Sequence, residues 1–450
     1  MASRKEQGAE TVQRVFGGAL YQQGRGYYSA LELFAILRGS ALLEEEEGAD
    51  DGPIRVLPPG DRDTLYLRPS HDFARRLLVG DLGHEGHPKL KGGATEATLR
   101  ALLRGLECPI PGARKPPSSW KSRHFFPFPA ELAHYDAVMR GKKVSVERYI
   151  FRGGGGLAHK ILRTDPDPDR LARTRVALRG LMLDSGSAVG RIGAALRRLD
   201  DVHAAPPQGK SPAEHAFFDG VERRSWAGAG PETRWFQSMR AGFDRVLQRR
   251  SHTDFQKVEV LMHLVPFCLA MHQLAMARRR LGFDEFAPLV FDAGDGPSPV
   301  REFARAHLSR ALTQITDALL TEAEELGYSD LLSGSANWRT GPRSFFATTL
   351  YAVGALNAHT GRRFLAVRPA LLECLVAAFV DGQVSFREFT RDVLQRRLGL
   401  VTDHSAAQVA GDVDLDRADL DRNGEHLARR LRSLGLLVEY SDATRMVGLQ

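Results

Sequence analysis

DFQKVEVLMHLVPFCLAMHQLAMARRRL, residues 254–281, contains the longest apolar run of the chain, Val258–Met276. Glu259, His263, Pro266, His272 and Gln273 interrupt that run. A bilayer-spanning helix needs about 20 mostly apolar residues. These polar positions therefore argue for a helix buried in protein, kinked at Pro266. His263 and His272 then read as hydrogen-bonded core residues rather than metal ligands. A helix that is apolar on most sides has to be covered by other elements, and the flanking sequence supplies them.

Around this helix a mainly helical core is expected over residues 166–382. Helical apolar spacing covers Asp169–Leu183 and Val189–Leu199, with further helices at about 212–225 and 232–249. Downstream, Pro288–Phe291 reads as a short strand followed by the turn Asp292-Ala-Gly-Asp-Gly. Ser298 suits an N-cap and Pro299 the first helical position. Phe303, Leu308, Leu312, Ile315 and Leu319 form the inward stripe of that helix, and Gly327 stops it. Two more helices follow at about 343–358 and 368–380, and no internal repeat is evident.

The last region, 383–450, has a different pattern. Phe386, Phe389, Val393 and Leu394 share one helix, and Leu420, Leu427, Leu431 and Leu434 form a second stripe ending at Gly435. Leu436–Tyr440 and Arg445–Leu449 then read as a hairpin around Ser441-Asp-Ala-Thr444, the way a winged helix ends. Arg422, Arg429, Arg430 and Arg432 lie on the candidate recognition helix, but Asp412, Asp414, Asp416, Asp419 and Asp421 crowd its entry.

Residues 1–165 read as an irregular, basic, aromatic-rich α+β region. Strands are expected at Leu65–Leu67 and Val144–Phe151, and short helices near Ser70–Val79 and Glu96–Leu106. The acidic run Glu44–Glu47 reads as a solvated loop. The fold class is thus mainly α with short β segments, in three regions: irregular and basic, helical core, and winged-helix-like tail.

The 450 residues carry a formal net charge of +7 and a pI of about 9.4. Residues 111–160 alone hold ten Lys/Arg against three acids, an excess of +7. Trp120, Phe125, Phe126, Phe128, Tyr135, Tyr149 and Phe151 are threaded through this span. Cations neutralise phosphates and flat rings stack on bases, so the span reads as a nucleic-acid surface. Its expected contacts are Arg114, Lys115, Trp120, Lys121, Arg123, Arg140, Lys142 and Lys143, joined by Arg429 and Arg432 of the tail.

Other motifs fall short. Asp419-Leu-Asp421-Arg-Asn423-Gly424 begins like a calcium loop, but its twelfth position is Arg430 instead of Glu. Gly153–Gly156 lacks the context of a phosphate loop and reads as a flexible hinge. Residues 204–211 lack the first glycine of a Walker motif. His84-Glu85-Gly86-His87, with His71 nearby, is not the HExxH of a zinc protease. Gly186-Ser187-Ala188-Val189-Gly190 is not a nucleophile elbow. Asp292 and Asp295 could hold magnesium in a nuclease, or form a polar turn with an Asp cap. Cys108, Cys268 and Cys374 make neither a disulfide framework nor a zinc set, and the last two read as core residues. The N-terminus shows no apolar signal segment. A cytoplasmic protein without cofactor, metal or membrane partner is therefore expected.

Three segments together resemble accessory proteins of bacterial modification-linked anti-phage operons: His263–Ala277, Phe291–Arg301, and the tail around Asn423 and Ser441-Asp442-Ala443. In those systems a non-enzymatic protein accompanies a methyltransferase and an ATPase. The resemblance, which covers the C-terminal half, implies a role in sensing or relaying invading DNA and lends no catalytic residues. The expected function is non-enzymatic: binding nucleic acid, DNA first, and docking a protein partner. The alternatives are a metal-dependent nuclease using Asp292 and Asp295, and a structural scaffold.

Overall fold

The computed structural model describes residues 3–18, 20, 28–47, 154–183, 232–332, 337–411, 413–441 and 444–449, with Ala101 and seven short strands between residues 62 and 227. The protein is mainly helical with short strands, as the sequence predicts. In chain order the described helices are α1 (Arg4–Phe16), α2 (Tyr28–Glu47), α3 (Gly154–Arg163), α4 (Pro168–Leu183), α5 (Arg234–Gln248), α6 (Asp254–Arg280), α7 (Pro299–Glu325), α8 (Ser329–Leu332), α9 (Asn337–Ala352), α10 (Pro369–Phe379), α11 (Phe386–Glu388), α12 (His404–Ala410) and α13 (Arg417–Ser433). The strands are β1 (Arg62–Leu67), β2 (Cys108–Pro109), β3 (His124–Phe126), β4 (Ala133–His134), β5 (Asp136–Arg140), β6 (Lys143–Glu147), β7 (Glu222–Ala227), β8 (Leu289–Val290), β9 (Gln383–Ser385), β10 (Leu400–Val401), β11 (Leu437–Ser441) and β12 (Thr444–Gly448).

The chain forms two compact units. The first comprises Met1–Tyr27, Ala229–Arg249 and Glu259–Gln450, and the second Tyr28–Gly228 and Arg250–Val258. The N-terminal helix thus joins the C-terminal half of the sequence.

In the first unit the residues of α6 from Glu259 onward are lined by core. Leu261, Met262, Leu264, Val265, Phe267 and Leu269 are fully buried. Pro266 lies inside the helix without ending it. The helix is long and apolar enough to cross a membrane by length and composition, yet 89% of its apolar window is buried inside the protein. Its buried His272 and Gln273 both make hydrogen bonds, as burial favours. His272 Nε2 donates to Phe16 O and its Nδ1 accepts from Thr233 Oγ1, both at 3.0 Å. Gln273 Nε2 donates to Leu20 O and Pro342 O. Helix α7 starts and stops where the sequence says. Ser298 Oγ accepts from Arg301 N, Pro299 is the first residue, and Gly327 (φ +69°) follows its end.

The tail belongs to this unit. Helix α11 runs on into a π-helical segment, Phe389–Arg397, with Phe389 and Leu394 buried. Strands β11, β12 and β9 form one antiparallel sheet in that order, with Leu437 opposite Val447 and Met446 opposite Ser385. Strand β8 pairs in parallel with β10, Val290 beside Val401. Val290, Val300, Val401, Ala406, Ala407 and Leu420 close a core that ties these two strands to α7, α12 and α13.

The second unit holds α2, α3 and α4 with strands β1–β7. Three sequence expectations are corrected here. Residues 1–165 are not irregular throughout, since α1, α2 and α3 lie among them. Glu44–Glu47 is the last turn of α2. Carboxylates oppose the dipole at a helix C-terminus, which is why the run reads as a loop. Glu222–Ser225, expected at the end of a helix, lies in β7, whose partner β1 is far away in sequence and invisible to local periodicity.

The glycine run is also corrected. Gly154–Gly156 is the first turn of α3 and is buried against α2. A Cβ at Gly155 would fall 2.5 Å from both Glu32 Cβ and Leu33 N, so the glycines permit close helix approach. Gly155 N donates to Glu32 Oε2 at 2.7 Å, placing a carboxylate where a phosphate would otherwise bind. The expected helices at Ser70–Val79, Val189–Leu199 and most of Glu96–Leu106 lie outside the described residues, as does the His84–His87 motif.

Candidate nucleic-acid interface

Arg140 and Lys143 are the last register pair of the β5–β6 hairpin. Phe125 and Phe126 lie in the central strand of the small sheet β2–β3–β4. Arg114, Lys115, Trp120, Lys121, Arg123 and Lys142 lie outside the described residues.

Charge is divided unevenly between the units. The second unit holds 33 Lys/Arg against 27 Asp/Glu, and the first 29 against 28. Six of the seven excess positive charges therefore belong to the unit that contains the basic-aromatic span. A polyanion responds to the summed field as well as to individual contacts, and by formal charge the second unit is the more positive of the two.

In the tail, carboxylates of the same chain hold most of the arginines. Arg432 pairs with Glu439, and Arg445 with Glu425 (2.6 Å) and Glu439 (3.2 Å). Arg417 pairs with Asp421 and Arg422 with Asp419. The side chain of Arg430 meets Asp295 at 2.9 Å. Arg429 donates instead to His426 Nδ1 at 2.8 Å. Residues 383–450 carry ten arginines against eleven acids, so this region has no positive excess. Of the two tail residues expected to meet nucleic acid, Arg432 pairs with a carboxylate, and among the described residues Arg429 meets only His426.

Asp292 and Asp295 are both engaged by guanidinium groups. Asp292 is buried. Its Oδ2 accepts from Arg301 Nε at 2.7 Å and its Oδ1 from Gly294 N at 2.9 Å. Arg301 also donates to Gly294 O and lies 4.5 Å from the Phe364 ring centre. Asp295 is 84% exposed, and Arg430 holds its carboxyl below the usual range. Among the described residues no group of three or more His, Cys, Asp or Glu could hold a metal ion.

Sequence reasoning missed Asn423 as the joint of this region. It is buried on α13. Its Oδ1 accepts from Ala293 N (2.8 Å), and its Nδ2 donates to Phe291 O (2.9 Å) and Thr402 O (2.7 Å). All three bonds serve backbone groups at the ends of β8 and β10. The available signal was Asn423-Gly424 inside a helical stripe, where glycine costs about 1 kcal/mol relative to alanine. A Cβ at Gly424 would sit 2.9 Å from Asp403 Cβ. Comparisons with protein-family models, curated proteins and solved structures found no match.

Proposed function

We propose that the protein is a cytoplasmic, non-enzymatic component that binds nucleic acid, DNA first, through its second unit and docks a protein partner through its tail. The observation that carries this reading is the charge partition: nearly all of the positive excess lies in the unit containing residues 111–160. Lysines and arginines there hold the phosphate backbone while aromatic rings stack. The resemblance to modification-linked defence proteins makes a multigene anti-phage complex the setting.

The tail is read as a winged helix. Its support is the order α10, β9, α11 with its π-helical extension, α13, β11, β12, in which β9 pairs with β12. Strand β10 and helix α12 are an addition to that pattern. With most of its arginines meeting carboxylates, the tail suits docking to protein better than unaided DNA binding.

The test is charge reversal. Replacing Lys142 and Lys143 by Glu should weaken duplex binding by tenfold or more, whereas reversing Arg417 and Arg422 should change it less than twofold. Equal effects at both places would refute the assignment. A metal-dependent nuclease is disfavoured because Arg301 and Arg430 occupy the two carboxylates. Magnesium-dependent cleavage abolished by Asp292→Ala in a protein that still folds would restore it.

A further inference from the structure

We propose that Arg429, Arg430 and His426, on one face of α13, form a phosphodiester contact site that Asp295 covers in the free protein. This rests on the nucleic-acid reading above and adds to it a second contact and its control.

Arg430 is held differently from Arg432 and Arg445. Its Nη1 donates to Val367 O at 2.6 Å and its Nη2 to Gly294 O at 3.4 Å. Two backbone carbonyls thus orient the guanidinium without cancelling its charge. A fork fixed in this way is ready for an oxyanion. Among the described residues its one carboxylate partner is Asp295, which meets Nη2 at 2.9 Å.

Arg429 stands next in sequence and is exposed, its guanidinium set on His426 Nδ1. The His426 ring lies close to the same loop, since a Cβ at Gly294 would fall 3.7 Å from His426 Cδ2. Arg430, His426 and Arg429 all lower the Asp295 carboxyl, Arg430 most. One exposed carboxylate therefore faces three groups able to donate to an anion.

The occupant is weakly held. Asp295 is 84% exposed, and pairs so open to water contribute little. Its loop, Gly294-Asp295-Gly296, is flanked by glycines. Arg432 and Arg445, by contrast, are held by Glu439 and Glu425 from within the tail itself. A phosphodiester offers the same pair of acceptor oxygens and in addition releases condensed counterions on binding, and so should displace a single solvated carboxylate.

The experiment measures duplex DNA binding by the full-length protein over a range of salt. It compares wild type, Asp295→Asn, Asp295→Ser and the double variant Asp295→Asn/Arg429→Gln, with thermal melting to confirm that each is folded. The expected result is a three- to tenfold gain for both Asp295 variants and a salt slope steeper by about one ion. The gain should vanish in the double variant. Binding by Asp295→Asn where wild type shows none would also support the site. If wild type binds with a steep salt slope and both Asp295 variants match it, the site is wrong and the nucleic-acid reading stands. If no protein binds, both fail. An equal gain towards polyglutamate would assign the face to acidic protein and overturn the phosphodiester.

Discussion

Asn423 commits both amide donors and its carbonyl oxygen to the three bonds it makes to Phe291, Thr402 and Ala293. Truncation to Ala would leave three buried backbone groups unpaired, at about 1–3 kcal/mol per group. Asn423→Ala should therefore lower the urea midpoint strongly. Asn423→Asp should be worse, because a carboxylate would face two carbonyl oxygens. Equal stability of Asn423→Asp and wild type would show that the joint is not needed. Two histidines give the fold a pH dependence. Burial pushes His272 down to about 4. His307, whose Nδ1 accepts from Val290 N, is likewise pushed by burial down to about 4. The bond from Val290 N requires a neutral His307 ring, and desolvation holds the His272 ring neutral. Stability is thus complete above the ordinary histidine value of 6.5 and is lost as pH falls towards 4. His272 alone should contribute on the order of 2–3 kcal/mol to that loss. Melting temperature should fall between pH 7 and pH 4.5, and His272→Gln, less stable at neutral pH, should show a shallower fall. A flat profile in wild type would contradict the burial of these rings. Cys268 and Cys374 are buried with thiols pushed up by desolvation. A maleimide should leave both unmodified until the protein is denatured; rapid labelling of either in the native state would refute the core packing around α6.

At the scale of elements, legibility followed local chemistry. Helix α7 could be placed because Ser298, Pro299 and Gly327 each act on backbone within a few residues of themselves. Helix α6 was legible from its apolar length, and the β11–β12 hairpin from the stop at Gly435 between two periodic runs. Helix α1 had a signal that went unread, the capping box of Ser3 and Glu6. Strands β7 and β10 had none, since each exists only through a partner distant in sequence. The glycine run before α3 misled because the reason for it, the approach of Ser29, Glu32 and Leu33, lies on another helix. Gly155→Ala should destabilise the protein by about 1–3 kcal/mol, the cost of overpacking, visible as a lower urea midpoint at unchanged slope. No loss would mean that α2 and α3 are not in close contact. The site showed the same division. The basic span was readable as composition, whereas the carboxylate partners of the tail arginines were not, because Asp295 and Arg430 meet only through the fold.

Over the whole molecule, the two units differ in formal charge. One is nearly balanced, with 29 cations against 28 acids, and in its tail Arg417, Arg422, Arg430, Arg432 and Arg445 meet carboxylates. The other keeps the surplus. On the reading proposed above, this division would separate docking from polyanion binding without requiring a catalytic centre in either. The measurement that tests it most directly is the salt dependence of DNA affinity for the full-length protein. A linear fall of log affinity with log salt is expected, steep enough to report about five or more neutralised phosphates, at about 0.9 ions each. Glu at Lys142 and Lys143 should make that slope shallower. Affinity that does not change with salt, or a slope that the two substitutions leave untouched, would contradict the account.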